Sequence, residues 1–174
     1  EVCWPKVNYS NKEPVDAAEF EKVIPDPVKA MQEAQCTVCS ILYRDPSEVK
    51  ANSTINFNIY DFDGVAHASG NTIEFSSRHI QKFTGDKAKT EFYGVTVHES
   101  VHTLQNFGGE GGMVEGMADF VRIRAGLYED GRRRPGGNWS DPYTTGGFFF
   151  SWLAGPGILY QDGYDDKNID VGYE

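Results

Sequence analysis

Apolar and polar side chains alternate most regularly in the middle of the chain. In INFNIYDF, apolar Ile55, Phe57 and Ile59 alternate with asparagines, which predicts a half-buried strand. The next residues predict a hairpin, in which Gly70 and Asn71 supply the permissive backbone of the turn. The predicted strands are residues 55–62, 65–68 and 72–75.

Helical spacing of apolar positions occurs on both sides of these strands. The predicted helices are residues 16–43, 79–83, 89–106 and 113–125. Pro25 and Pro27 interrupt the first helix, and GGEGG, residues 108–112, separates the last two. Gly126 is a typical C-terminal stop. The order helix, strands, helices predicts an α+β fold.

A chain of 174 residues is long enough for one compact domain with its own core. We divide it into an N-terminal helical segment (1–54), a segment with the sheet and two site-bearing helices (55–127), and a loop-rich C-terminal part (128–174) that closes a cleft. The aromatic run with Phe148, Phe149, Phe150 and Trp152 is expected in the core.

The charge and hydropathy of the chain argue against two classes of partner. The formal net charge is -10, which argues against a broad phosphate-binding surface and so against nucleic acid. The basic triplet at 132–134 is interpreted as a solvated loop. No apolar run approaches the roughly 20 residues of a membrane helix, so we expect no membrane insertion. We expect a monomer.

Cysteines and glycosylation sequons favour an oxidising, extracellular setting. The sequons lie at Asn8, Asn52 and Asn138. Since the sequence begins at Glu1 rather than Met, we expect a processed, secreted protein. In it Cys3 pairs with either Cys36 or Cys39 and joins the N-terminal segment to the first helix, leaving one free thiol. A redox or metal role for Cys36-x-x-Cys39 is disfavoured, because no βαβ pattern follows.

The stretch GVTVHESVHTLQ, residues 94–105, carries the candidate chemistry. His98 and His102 are four residues apart on one helix face, so both imidazoles can bind one metal ion. Glu99 lies beside that face, where it can reach a metal-bound water. A catalytic zinc site takes three protein ligands and keeps a fourth position open, so the motif requires a third ligand.

Glu115 and Asp119, in VEGMADF on the next helix, complete the set. If the glycine-rich loop lets the two helices pack across each other, Glu115 reaches the ion as the third ligand. Asp119 can then accept a hydrogen bond from a ligand histidine and fix its tautomer. Two imidazoles and a carboxylate suit zinc better than iron or manganese.

Glu99 and Tyr143 are the candidate catalytic residues. Zinc lowers the pKa of a bound water from about 15.7 to about 7, and Glu99 would take its proton. The resulting oxyanion needs a donor besides zinc, for which we select Tyr143 in WSDPYTT. His67 and His79 lack ligand-like spacing to a partner and are interpreted as ordinary surface or packed histidines. The acidic tail QDGYDDKNID lacks the register of a calcium loop.

Four segments carry a family resemblance: DFDGVAHASGNTIEFSSRHI, GVTVHESVHTLQ, GGMVEGMADFVRIRAGLY and the later WSDPY. They resemble the plant basic secretory protein family, whose members look like gluzincin-type zinc metallopeptidases. The likeness covers more than half the chain. It implies a zincin-like fold, in which a small twisted mixed sheet with an antiparallel edge hairpin packs on the active-site helix and a second ligand-bearing helix. It implies zinc ligands at His98, His102 and Glu115, a general base at Glu99 and an outer hydrogen-bond partner at Asp119.

By the same likeness, the edge strand of the hairpin pairs with an extended peptide substrate. The corresponding residues are Val65, Ala66, His67 and Ala68. The chain departs from the family in being strongly acidic, and Thr103 and Leu104 stand where an aromatic residue is expected.

These features predict a secreted zinc endopeptidase with one catalytic Zn²⁺, acting on extended peptides or proteins. Two alternatives would use the same metal site. One is a non-catalytic defence or cell-wall-binding protein in which zinc is structural. The other is an aminopeptidase or small-amide hydrolase.

Overall fold

The computed structural model describes residues 3–13, 18–105, 108–128 and 136–158. Its elements in chain order are β1 (Lys6–Asn11), α1 (Ala18–Val23), α2 (Pro27–Leu42), β2 (Thr54–Tyr60), β3 (Ala66–Ser69), β4 (Thr72–Ser76), α3 (Ser77–Ile80), α4 (Gly85–Leu104), α5 (Gly111–Arg124) and α6 (Thr144–Ile158). The predicted α+β class is confirmed. Within these ranges no helix has both the length and the apolarity needed to cross a bilayer.

The strands form one small mixed sheet in the order β1-β2-β4-β3. β2 runs parallel to both β1 and β4, and β3 pairs antiparallel with β4. The predicted hairpin is therefore present, with Gly70 in the left-handed region at φ 60°. β3 begins at Ala66, one residue later than predicted, so Val65 precedes the strand. The hairpin places β3 at an edge of the sheet.

β1 corrects the prediction of a purely helical N-terminal segment. Its apolar residues are Val7 and Tyr9, which are too few to give a clear alternating pattern. Val7 lies opposite Ile55 in β2, and both β1 residues pack against the main core. Pairing with a strand more than 40 residues away in the sequence, rather than local propensity, makes this segment a strand.

The main core lies between the sheet and the helices. Buried and partly buried positions alternate along β2, as predicted. Phe20 of α1, Phe57 of β2, Phe75 of β4 and Phe92 of α4 form an aromatic cluster whose neighbouring ring centroids are 5.4 to 6.0 Å apart. Such packing adds to the burial free energy and anchors α4 on the sheet.

α4 is the central helix, and its predicted apolar positions are buried. Val97 and Val101 pack in a second core with residues of α2 and α5. Since valine lowers helix propensity, burial rather than intrinsic preference stabilises this helix. α4 starts at Gly85 and ends at Leu104, and α5 starts at Gly111, inside the GGEGG stretch predicted as a linker.

The N-terminal segment is joined to α2 by a disulfide between Cys3 and Cys39. This confirms a predicted bond and decides between its two possible partners. Cys36 is a free thiol that donates to the carbonyl oxygen of Cys3 at 3.1 Å.

α6 corrects the prediction of a loop-rich C-terminal part. Gly146 and Gly147 lower helix propensity in the aromatic run, which is why its sequence does not indicate a helix. They allow close packing on α5, since a Cβ on Gly116 would lie 3.0 Å from the Cα of Gly146. Trp152 is 45% exposed and the three phenylalanines at 148–150 are only partly buried. Phe150 packs against the second core, so the run is only in part the core segment expected.

Candidate metal centre

His98 and His102 lie one turn apart on the side of α4 that lines a cleft. Their Nε2 atoms are 3.3 Å apart and their ring centroids 5.1 Å apart. The opposite face of α4 is buried in the core, so the face with the two histidines is directed into the cleft. The two imidazoles therefore present nitrogens to the same point.

Glu115 of α5 reaches the same point from the facing helix. Its Oε2 lies 3.1 Å from His98 Nε2 and 3.5 Å from His102 Nε2. α5 packs against α4, as the glycine-rich stretch at 108–112 leads us to expect. The three side chains form a group whose candidate ligand atoms all lie within 4.8 Å of one another.

The geometry of this group fits a zinc ion. A tetrahedral ion with bonds of about 2.1 Å places its ligand atoms about 3.4 Å apart. The three observed separations are 3.1, 3.3 and 3.5 Å. Two nitrogens and one oxygen thus match one face of such a tetrahedron, and the cleft that they line leaves access for a fourth ligand.

Asp119 orients His98 from behind. Its Oδ1 accepts a hydrogen bond from His98 Nδ1 at 2.7 Å, and the Tyr128 hydroxyl donates to its Oδ2 at 3.3 Å. Asp119 is buried, with 4% of its surface exposed. A proton kept on Nδ1 leaves the lone pair on Nε2, the nitrogen that faces Glu115 and would bind a metal ion.

The electrostatics of the group favour a cation. Burial lowers the pKa of His98, but hydrogen bonds to Asp119 and Glu115 outweigh it and raise that pKa to about 9. Burial and the His98 charge instead lower the pKa of His102, whose Nδ1 lies 3.2 Å from Gln105 Nε2. The carboxylates of Asp119 and Glu115 favour the positive charge of protonated His98, and for the same reason they would favour a divalent metal ion at this point.

Glu99 lies beside these residues and lines the cleft. Only 6% of its surface is exposed. Burial raises the pKa of Glu99 to about 7, with the His98 charge opposing this rise and the Glu115 charge adding to it. A carboxyl group with a pKa near neutrality is matched to both accepting and returning a proton.

The cleft has a volume of about 880 Å³. One wall is formed by the predicted substrate-binding residues Val65, Ala66, His67 and Ala68, and the others by α4, α5 and the start of α6. In the described part of the chain β3 pairs on one side only, so its other edge is open to an extended ligand. The His67 side chain is half exposed and contacts Glu74 at 2.7 Å, as an ordinary surface histidine would.

Tyr143, directly before α6, also lines the cleft. Its ring stacks on that of His98, with centroids 6.1 Å apart and an interplanar angle of 21°. The residue adopts φ 57°, which is uncommon for a non-glycine residue, and it is 54% exposed. The Glu115 charge, with some burial, raises the pKa of its phenol. The structure thus brings Tyr143 to the group, as the sequence predicts.

Sequence reasoning missed a second set of cleft residues, formed by His79, Glu91 and Arg122. His79 Nε2 lies 2.9 Å from Glu91, and Arg122 donates to Glu91 at 2.7 Å. The interpretation of His79 as an ordinary packed histidine overlooked this network. One signal was present: Glu91 precedes His98 by two helical turns and so lies on the same face of α4.

Two predictions fall outside the described residues. They concern the basic triplet at 132–134 and the acidic tail after Ile158.

Comparison with known protein families gives a match over most of the chain. A family model described as BSP, a peptidase of plants and bacteria, matches residues 5–162. No curated protein and no solved structure matches the chain.

Proposed function

The chain belongs to the BSP (basic secretory protein) family of peptidases, and on that premise we propose that it is a zinc-dependent endopeptidase of the gluzincin type. The observation that carries this proposal is the triangle of His98 Nε2, His102 Nε2 and Glu115 Oε2, whose sides match the ligand spacing of tetrahedral zinc. The donor set of two imidazoles and one carboxylate suits zinc among the common divalent ions.

Bound zinc would lower the pKa of a coordinated water and would polarise the scissile carbonyl. In this proposal Glu99 accepts the proton of the attacking water and later donates it to the leaving amine, a role supported by its pKa of about 7. Asp119 keeps His98 in the required tautomer. The Tyr143 hydroxyl donates to the oxygen that gains negative charge as the carbonyl is attacked.

The open edge of β3 supports an extended peptide as the substrate. A peptide laid along Ala66 to Ala68 could extend the sheet by backbone hydrogen bonds, next to Glu99 and the histidines across the cleft. Backbone pairing is independent of side-chain identity. We therefore expect the enzyme to accept varied sequences and to take its preference from pockets elsewhere in the cleft.

We also propose that the protein is secreted and acts as a monomer. The disulfide between Cys3 and Cys39 supports secretion, since such bonds persist in oxidising compartments. Glycosylation of Asn8, Asn52 and Asn138 stays a prediction. Intact-mass measurement before and after enzymatic deglycosylation, on protein purified from its native source, tests it.

The central experiment measures cleavage of unfolded casein by the purified protein. We expect internal cuts, loss of activity with a chelator and recovery with zinc. Glu99→Gln should lose at least about a hundredfold in kcat while retaining bound metal. The matched control is Glu48→Gln, which makes the same change at an exposed carboxylate that does not line the cleft.

Each rival function predicts a different result. Stepwise release of N-terminal residues would identify an aminopeptidase, and a zinc-loaded protein that cleaves no substrate would identify a structural metal site. If Glu99→Gln cleaved casein as fast as the parent, the role proposed for Glu99 would be wrong.

A further inference from the structure

A second buried group of polar side chains lines the cleft, and the proposed hydrolysis makes no use of it. It consists of His79, Glu91 and Arg122, each with 5 to 7% of its surface exposed. Glu91 precedes His98 by seven residues on α4, which corresponds to roughly 10 Å along the helix. The group therefore lies in the same cleft as the metal-ligand residues, about two helical turns away from them along α4.

Both carboxylate oxygens of Glu91 have a partner within this group. One of its carboxylate oxygens contacts His79 Nε2 at 2.9 Å, and the other accepts a hydrogen bond from Arg122 Nη2 at 2.7 Å. The charges of Glu91 and Arg122 therefore offset each other inside the protein.

The guanidinium of Arg122 is held rigidly. Its Nε donates to the carbonyl oxygen of Leu127 at 3.1 Å, and the group lies 5.1 Å from the centroid of the Tyr128 ring. Gly94 of α4 makes room for it, because a Cβ at that position would lie 2.4 Å from Arg122 Nε. An arginine fixed on several sides loses little conformational freedom when it binds a further acceptor.

One nitrogen of this guanidinium remains available. Nε and Nη2 are used, whereas Nη1 has no hydrogen-bond partner among the residues that the structure describes. A donor without a partner at the wall of a cleft favours a ligand that brings an acceptor oxygen.

The surroundings select the kind of acceptor. Phe83 and Val95 line the same part of the cleft and offer apolar surface to the methylene groups of a side chain. A carboxylate guest would add negative charge close to Glu91 and Glu99, and Arg122 is already paired. An uncharged amide supplies the acceptor oxygen without that repulsion.

We propose that this part of the cleft is a specificity pocket for a glutamine or asparagine side chain next to the cleaved bond, with Arg122 Nη1 donating to the side-chain amide oxygen. This inference rests on the proposed peptidase function. The pocket would give the peptidase a preference for one substrate side chain, which the metal-ligand residues alone do not provide.

The test uses short labelled alanine peptides that carry one central residue, either glutamine, leucine, glutamate or lysine. Binding is measured by fluorescence anisotropy with zinc-loaded Glu99→Gln, and kcat/KM is measured with the parent. We expect the glutamine peptide to exceed the leucine peptide by about tenfold in both measurements. An equal or greater preference for leucine, glutamate or lysine would overturn the pocket.

Two substitutions locate the preference. Arg122→Lys keeps a cation beside Glu91 but removes Nη1, and we expect the glutamine-to-leucine ratio to fall towards one. Gly94→Ala crowds the guanidinium and should lower the same ratio. The matched control is Arg124→Lys, at an equally buried arginine of α5 that does not line the cleft and should keep the parent ratio.

The outcomes separate this pocket from the peptidase function. If the parent cleaves no peptide but Glu99→Gln still prefers glutamine, the peptidase proposal fails and the pocket stands. If Arg122→Lys weakens all peptides equally, or leaves the ratio unchanged, the buried group is structural only and the pocket is refuted. Absence of any peptide binding also refutes it.

Discussion

At the scale of single residues, the site depends on partners that lie behind the metal-facing atoms. Asp119 accepts from His98 at 2.7 Å and is itself held by the Tyr128 hydroxyl. We expect Asp119→Asn to weaken zinc binding about 10- to 100-fold, because the amide no longer supplies the negative charge that makes the imidazole a better ligand. Competition with a chromophoric chelator measures the affinity.

Asp61→Asn is the control for this prediction, since Asp61 pairs with Arg78 on the surface and does not line the cleft. It should bind zinc like the parent. Equal affinities for Asp119→Asn and the parent would show that Asp119 does not support the metal.

Glu91 makes a pH-dependent contribution to stability. Burial alone would raise its pKa, but the hydrogen bond to His79 and the charge of Arg122 dominate and lower that pKa to about 2, from 4.5. A carboxyl whose pKa is lower in the folded state stabilises the fold above its unfolded pKa and loses this contribution as pH falls. We therefore expect Glu91 to contribute on the order of 3 kcal/mol above about pH 4.5, most of it lost by about pH 2.

Urea unfolding at a series of pH values between 6 and 2 measures this contribution. Glu91→Gln should be less stable than the parent at pH 6 and should show a smaller loss of unfolding free energy over that interval. Parallel pH curves for the two proteins would contradict the assignment.

At the scale of elements, the site exists because α4, α5 and the start of α6 come close together. Glycines on α5 and α6 allow the helices to approach closely. The spacing of these glycines does not follow the 3.6-residue repeat by which a helix is recognised in the sequence. A Cβ on Gly112 would lie 1.8 Å from the carbonyl oxygen of Ser140, in the segment that leads to Tyr143. The backbone of that segment would have to move to accommodate any side chain.

Gly112→Ala is therefore expected to lower the free energy of unfolding by about 1–3 kcal/mol and to reduce activity by displacing Tyr143. Its neighbour Gly111 is the matched control, since a Cβ there meets no atom within 4 Å. Gly111→Ala should be neutral or stabilising by up to about 1 kcal/mol. Thermal unfolding and peptide cleavage measure both variants, and equal behaviour would contradict the close contact.

At the scale of the whole molecule, the disulfide restrains the unfolded chain. It joins residues separated by 36 positions, and closing a loop of this length stabilises a fold by about 3–4 kcal/mol. We expect Cys3→Ser to lose an amount of this order in urea unfolding. Cys36→Ser keeps the bond and should unfold close to the parent, whereas similar losses in the two variants would indicate a different pairing.

The sequence predicted the parts of this protein that depend on local periodicity. Backbone geometry sets a repeat of 2.0 residues in strands and 3.6 residues in helices. The first repeat predicts the alternation in β2 and the hairpin before α3, and the second predicts the helical faces of α4 and α5. The same helical repeat brings His98 and His102 together, and the next helix offers Glu115 and Asp119 at matching positions.

Tertiary structure decided what depends on contacts between distant segments. β1 is a strand because β2 is beside it, and α6 is a helix although its glycines disfavour one. The N-terminal segment lies against α2 so that Cys3 bonds to Cys39, while Cys36 contacts only the carbonyl oxygen of Cys3. The buried group of His79, Glu91 and Arg122 joins three helices, so only their packing brings its charges within hydrogen-bond distance.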